Sequence, residues 1–286
     1  SDSVSGLEVD LIYHCMHDYD AIIRRVAFKN VSRGHGSGTD LKILDRVFST
    51  TLDFEATTEN YHMVQLSGSW ARERMTVETK LSHGMQSFGS IRGVSSHHHN
   101  PFAAITVGPP NESNGEVKGF SFVYSGNFLV EAELNEMGRL RFNMGIHPMG
   151  FGWNLAPGDT FETPEVVMVR SKSGMGGMSR TLHRLTLDKI CPASWSDHVP
   201  TQPPILLNSW EARYFNVNHD NIVDMAYQAQ TIGADLLVLD DGWFGLRNDD
   251  ESSLGDWYPN LTKFPHGISG LAQAVNGAGV KFGIWV

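Results

Sequence analysis

The chain has 286 residues, 41% of them hydrophobic, enough to bury a core in two ordinary domains or one large one. A formal charge of -10 at pH 7 argues against nucleic acid and anionic membranes, which are bound through clustered Lys and Arg, and suits a neutral partner. With two cysteines, Cys15 and Cys191, there is no disulfide framework, and a reducing cytoplasm is the expected compartment.

The opening SDSVSGLEVD has neither the basic start nor the apolar stretch of a signal peptide, and no run of about 18 apolar residues marks a membrane span. Because the chain begins with Ser, a natural N-terminus further upstream is expected, which leaves secretion open. Cys15, beside His14 and His17, has the look of a thiol nucleophile, but its apolar neighbours predict a buried, inert cysteine. From Leu7 to about Arg170 the pattern has period two. In RLRFNMGI, Leu140, Phe142, Met144 and Ile146 face one way and Arg139, Arg141 and Asn143 the other. GFSFVYSG repeats the alternation through Phe120, Phe122 and Tyr124, and PEVVMVRS adds an apolar run after Pro164. Turn signals such as PPNESNGE and APGD separate these runs, so an antiparallel sandwich is predicted. In SSHHHNPF, His97 and His99 would share a strand face. No Cys or spaced His pair completes a zinc set, so a polar turn or strand end is expected there.

After SGMGGMS the pattern changes. Met178, Leu182 and Leu185 fall at helical spacing, and CPASWSDHVPTQPP is a proline-rich crossing, which places a linker at 191–203 between domains 1–190 and 204–286. Beyond it, PILLNSWEARYF predicts a buried strand. Ile222, Met225, Ala226 and Ala229 predict an amphipathic helix ending at Gly233, and ADLLVLDD a second strand. A second helix carries Ile268, Leu271 and Val275 to Gly279, and KFGIWV begins a third strand. This alternation implies a parallel sheet covered by helices. Residues 204–286 fall far short of the roughly 250 that a closed eight-stranded barrel takes.

In parallel βα folds, ligand-binding groups collect at the C-terminal ends of strands, where Asp240 and Asp241 lie. Two readings of this pair stand: a turn cap with a solvated neighbour, or a ligand-binding pair. Adjacent strand residues project to opposite faces, so they suit poorly the two carboxyls, about 5 Å apart, of a retaining glycosidase. They are better placed to accept hydrogen bonds from near-vicinal hydroxyls of one neutral ligand such as a sugar. Trp210, Trp243 and Trp285 lie at or just beyond the three predicted strand ends and could line one pocket mouth, an indole face packing on a pyranose. A single tryptophan is more often a core or interface residue; three at matching positions favour the pocket. RNDDES offers hard oxygen ligands without the glutamate-ended, glycine-turned calcium loop, and neither metal nor cofactor is expected.

NSWEARYF, LLVLDDGWFGLRNDD, SSLGDWYPNLTKFPHGISGL and KFGIWV together resemble the bacterial and fungal α-galactosidases of glycoside hydrolase family 36. YDAIIRRVAFKN, LSGSWARER, IRGVSSHHHNPF, GFSFVYSGNF and FETPEVV resemble that family's N-terminal part, so the likeness covers nearly the whole chain in order. It implies a multidomain β and α/β protein, a β-supersandwich followed by the first βα units of a (β/α)8 TIM barrel. It also implies retaining hydrolysis of terminal α-1,6-linked galactose in oligosaccharides of the melibiose and raffinose type. The family's paired aspartates match Asp240 and Asp241 and bind galactose hydroxyls 4 and 6. The tryptophans matching Trp210 and Trp285 wall the pocket, and Trp243 follows the aspartates in the same motif. Trp70 and Arg72, in GSWARER, match a sandwich loop that can reach a neighbouring subunit's site, in keeping with a homo-oligomeric dimer or tetramer.

The sequence departs from the family at three points. The nucleophile, an aspartate in Lys-Trp-Asp after the fourth barrel strand, and the acid/base aspartate after the sixth would lie beyond Val286, where the family continues with Glu-Pro-Glu. The chain is therefore expected to be an internal piece that binds sugar without turnover. Arg213 stands where the family has a small or aromatic residue. Ser1 is expected inside the sandwich, with strand edges left unpaired before it. A related α-N-acetylgalactosaminidase, a galactosyl transferase making raffinose-type sugars, and a non-catalytic sugar-binding protein are the rival readings.

Overall fold

A computed structural model describes residues 5–32, 41–57, 59–191 and 203–286. They fall into two compact units, Ser1–Cys191 and Pro192–Val286. All of the predicted linker 191–203 except its two end residues lies outside the described residues.

The first unit runs β1 (Leu7–Met16), β2 (Ala21–Asn30), β3 (Lys42–Leu44), β4 (Phe48–Phe54), β5 (Tyr61–Ser69), β6 (Arg72–Lys80) and β7 (Gly84–Ser90). It continues with β8 (His99–Val107), β9 (Val117–Phe122), β10 (Phe128–Leu134), β11 (Leu140–Ile146), β12 (Trp153–Leu155), β13 (Thr160–Glu162), β14 (Val166–Ser171) and helix α1 (Gly174–Leu185). One sheet has the order β1-β2-β14-β9-β8-β5-β6, with β13 also paired to β2; a second has the order β10-β11-β4. The pairing within both is antiparallel.

Strand alternation divides the large sheet between two cores. Ala103, Ile105, Phe120, Phe122 and Val166 face the small sheet, whose Phe128, Val130, Ala132, Leu140, Phe142 and Met144 complete the sandwich interior. Phe120 and Phe142 stack across it with ring centroids 4.2 Å apart. Ala104, Val117, Val167 and Val169 belong to a separate core with Met178 and Leu185 of α1. The helix comes so close to β9 that a Cβ on Gly119 would lie 2.7 Å from Met178 Sδ.

Two expectations for this unit need correction. Cys15 is exposed, because β1 is the edge strand of its sheet and most of its side chains are open to solvent whatever their neighbours in sequence. Tyr124 lies beyond the end of β9 and is exposed, so the alternation of Phe120 and Phe122 stops at Phe122.

The second unit comprises β15 (Leu206–Asn208), α2 (Trp210–Arg213), α3 (His219–Thr231), β16 (Leu236–Leu239), α4 (Gly267–Gly277) and β17 (Lys281–Ile284). β16 lies between β15 and β17, parallel to both, with Leu206 opposite Leu236 and Leu236 opposite Lys281. Asn218 and Asn221 form a reciprocal capping box that starts α3. Ile222, Met225, Ala226 and Ala229 of α3, with Leu271 and Val275 of α4, share a core with Leu237 and Leu239. The long buried strand expected over PILLNSWEARYF is three residues long, and none of them is fully buried. Asn208 and Ser209 end it by diverting their side chains to nearby backbone, after which α2 begins. Among the described residues no helix is long and apolar enough to cross a membrane.

Phe142 is 0% exposed at the centre of the sandwich. Phe142→Ala is expected to destabilise the first unit by about 3–5 kcal/mol in urea denaturation, and a loss below about 1 kcal/mol would contradict this packing.

Candidate functional site

The alternation of β16 carries into the loop that follows it. Leu236, Val238 and Asp240 are partly exposed, whereas Leu237, Leu239 and Asp241 are buried. Neighbouring residues of an extended chain face opposite sides, so the two carboxylates occupy different environments.

Asp241 is 7% exposed. Arg247 meets it side-on, with Nε 3.0 Å from Oδ1 and 3.2 Å from Oδ2, and Nη2 3.0 Å from Oδ2. The Gly242 N–H donates to Oδ1 at 2.6 Å. Arg247 Nη1 donates to the Ser252 carbonyl at 2.7 Å, and the guanidinium carbon lies 5.5 Å from the Phe215 ring centre and 6.0 Å from that of Phe244. Hydrogen bonding to Asp241 holds the Arg247 guanidinium above its ordinary pKa, against desolvation. Both partners are buried, so each supplies the counter-charge without which the other would be costly to desolvate.

Asp240 is partly exposed and accepts one hydrogen bond on each carboxylate oxygen. Its Oδ2 accepts from Asn208 Nδ2 at 2.6 Å, its Oδ1 from the Asp241 N–H at 2.8 Å, and its own N–H donates to Ser209 Oγ at 3.0 Å. Asn208 Oδ1 in turn accepts from the Trp210 N–H at 2.7 Å. A carboxylate has about four acceptor positions, so Asp240 keeps spare lone pairs on its partly exposed side, whereas Asp241 is nearly saturated by N–H groups.

Gly242 explains the residue that follows the pair. Its φ is +92°, and a Cβ there would lie 2.9 Å from Phe215 Cα, so only glycine lets this loop approach the one after β15. Lys263 closes the same junction. Its Nζ donates to the carbonyls of Gly242 at 2.8 Å, Phe215 at 3.0 Å and Arg247 at 3.2 Å. Desolvation pushes the Lys263 pKa down, and the charge on Asp241 opposes the shift.

The three predicted tryptophans differ in placement. Trp285 is 36% exposed and its N–H donates to the Leu239 carbonyl at 2.9 Å, which sets it beside the end of β16. Trp210 is partly exposed and stands edge-on to Tyr214 and Phe215, with centroids 5.2 and 5.0 Å away. Trp243 is only 4% exposed, packs against Phe244 and Trp257, and donates Nε1–H to the Trp285 carbonyl at 3.0 Å. It belongs to the core and braces Trp285, in contrast to the pocket wall expected of it. Trp257, which sequence reasoning passed over, is 45% exposed and meets Trp285 edge-to-face at 5.9 Å. The four indoles therefore form one aromatic rim only in part: Trp243, Trp257 and Trp285 are linked by contacts, and Trp210 opens α2.

Arg247, Lys263 and Asn208 also escaped the sequence reading. A charge in a polar loop reads as solvated, and the one signal for the burial of Arg247 and the partial burial of Lys263 was the aromatic residues interleaved with them. Trp70 and Arg72 are on the other unit, at the β5–β6 hairpin, where both are exposed. His97 lies in a turn with its ring stacked on that of His98, and His99 opens β8 with Nδ1 3.2 Å from Ser67 Oγ. Among the described residues no group of three His, Cys, Asp or Glu side chains is arranged to hold a metal ion.

Comparison with known proteins gives the site a context. The profile of the glycosyl hydrolase family 36 N-terminal domain matches residues 1–156, and the melibiase profile matches residues 160–286. Alpha-galactosidase AgaA of Geobacillus stearothermophilus is 46% identical over 285 residues, which is 100% of this chain and 38% of that protein. Alpha-galactosidase Mel36A of Lactobacillus acidophilus is 39% identical, over 99% of this chain and 37% of that protein. The crystal structure of AgaA superposes with a TM-score of 0.89 at 44% identity, covering 100% of this chain and 38% of that one. A variant of AgaA in complex with raffinose superposes with a TM-score of 0.88 at the same identity and coverage. The chain thus spans under two-fifths of the length of these relatives. Its architecture is the sandwich and early TIM-barrel units of such enzymes.

The ion pair gives a stability test. Arg247→Ala leaves Asp241 buried without its counter-charge and is expected to cost about 3 kcal/mol in urea denaturation. The same change on an Asp241→Asn background should cost clearly less, and equal costs in the two backgrounds would contradict the pairing.

Proposed function

The chain belongs to glycoside hydrolase family 36, and on that premise we propose that it carries the galactose-recognising part of a retaining α-galactosidase. The observation that carries this reading is the Asp240 carboxylate, partly exposed just beyond the C-terminal end of a parallel strand, with one hydrogen bond on each oxygen, from Asn208 and from the Asp241 N–H, and acceptor positions to spare. Its spare lone pairs suit the 4- and 6-hydroxyls of a galactosyl unit, each bond charge-assisted. Asp241 adds at most one acceptor position, because Arg247 and Gly242 occupy the rest. Trp210 and Trp285 offer indole surface for the C–H face of the sugar, with Trp243 behind Trp285 as its brace. An epimer with an equatorial 4-hydroxyl would leave a desolvated carboxylate short of a donor, which is how such a site rejects glucose.

In the whole protein, a carboxylate nucleophile forms a galactosyl-enzyme, an acid protonates the leaving oxygen, and water completes hydrolysis with retention. Neither Asp240 nor Asp241 suits these roles: they are adjacent at the start of the loop after β16, and Asp241 is committed to Arg247. Both catalytic carboxyls are assigned to sequence outside residues 1–286. The substrate class is raffinose-type oligosaccharides; raffinose and stachyose occupy the relatives' crystal structures. Trp70, 84% exposed at its hairpin, is suited to a second subunit of a homo-oligomer, and two unbridged, exposed cysteines suit a reducing cytoplasm.

Calorimetry with galactose tests the assignment. Residues 1–286 are expected to bind galactose more tightly than glucose and to release no nitrophenol from nitrophenyl α-galactoside. Asp240→Ala should weaken galactose binding about tenfold or more, the loss of a hydrogen bond to a charged group. Affinity unchanged in Asp240→Ala, or saturable turnover by the pure chain, would contradict the reading.

A further inference from the structure

Lys263 is half-buried in the loop that precedes α4, distant in sequence from every position that the strand-end argument singled out. An ammonium group has three N–H donors, and here each has a backbone carbonyl within hydrogen-bond distance, those of Gly242, Phe215 and Arg247. These carbonyls belong to three separate points of the site. Gly242 directly follows Asp240 and Asp241. Phe215 carries the ring against which Trp210 stands edge-on at 5.0 Å and over which the Arg247 guanidinium lies. Arg247 is the partner of Asp241. The main chain of Lys263 adds a fourth tie, because its carbonyl accepts from the His219 N–H at 2.9 Å at the start of α3.

A cation in this position costs desolvation, and the fall in the Lys263 pKa records that cost. An apolar side chain would fill the space without it, but would leave three carbonyls without this donor and remove the tie that joins all three segments at one atom. The tripod geometry also separates Lys from Arg, whose planar fork cannot direct three donors from one atom at three converging carbonyls.

We propose that Lys263 is a positioning residue for sugar recognition, which locks the Asp240–Asp241 loop and the Trp210 loop into the one relative geometry that fits galactose. The inference rests on the galactose-binding reading above and adds a residue that touches no sugar itself. Supporting groups of this kind matter because a ligand-binding constellation loses affinity when its parts drift by a fraction of an ångström.

The test uses the 286-residue chain, with galactose and glucose as probes, by calorimetry well below the unfolding midpoint. Wild-type binding of galactose is the control: its absence would refute the galactose reading itself. Given that binding, Lys263→Met is expected to bind galactose about tenfold more weakly and to lose most of the preference over glucose, with an unchanged far-ultraviolet circular dichroism spectrum. If Lys263→Met does not fold, Lys263→Arg, which keeps the charge, is read instead and is expected to show the same loss. In Lys263→Ala, added ethylammonium should restore affinity for galactose. A residue that only stabilises the fold would lower the unfolding midpoint and leave the affinity and selectivity of the folded protein as in wild type. That result, or Lys263→Ala binding that does not respond to ethylammonium, would overturn the proposal.

Discussion

The buried ion pair between Asp241 and Arg247 is the constraint on which the site is built. It fixes a carboxylate that has left solvent, it fixes the guanidinium between two phenylalanine rings, and it ties the end of β16 to the loop six residues further on. Buried pairs of this kind add little net stability over apolar packing, yet breaking one is expensive. Their use is to specify one arrangement. Here that arrangement leaves Asp240, the neighbouring carboxylate, as the one with acceptor capacity to spare.

Two adjacent aspartates at a strand end thus divide their work by parity. The same alternation that buries Leu237 and Leu239 under the helices buries Asp241, and the same alternation that half-exposes Val238 half-exposes Asp240. A glycine must follow, because the turn that brings Arg247 back to Asp241 passes within contact distance of Phe215. Trp243 is then drawn inward to brace Trp285, and the indole left at the surface beside the strand ends is that of Trp285, with Trp257 against it. The proposed recognition of galactose and the stability of the loop therefore depend on one connected set of bonds.

Much of this was legible in the sequence. Period two at Leu140–Ile146 and helical spacing at Ile222, Met225, Ala226 and Ala229 gave the two architectures, because burial on one face imposes those periods directly. The strand-end position of Asp240 followed from the apolar run before it. What escaped were features set by non-periodic contacts. The strand at Leu206–Asn208 is cut short by side chains that bond nearby backbone; Cys15 is exposed by its place at a sheet edge; Trp243 is buried by partners at positions 257 and 285. Arg247 and Lys263 were not singled out, because nothing in a one-dimensional pattern distinguishes a solvated cation from one enclosed by carbonyls and a carboxylate.

A crystal structure of the chain soaked with galactose tests the division of roles between the two neighbouring carboxylates. The 4- or 6-hydroxyl is expected within hydrogen-bond distance of an Asp240 oxygen, with Asp241 still held side-on by Arg247. A sugar bound away from Asp240, or one that draws Asp241 out of its pair with Arg247, would contradict it.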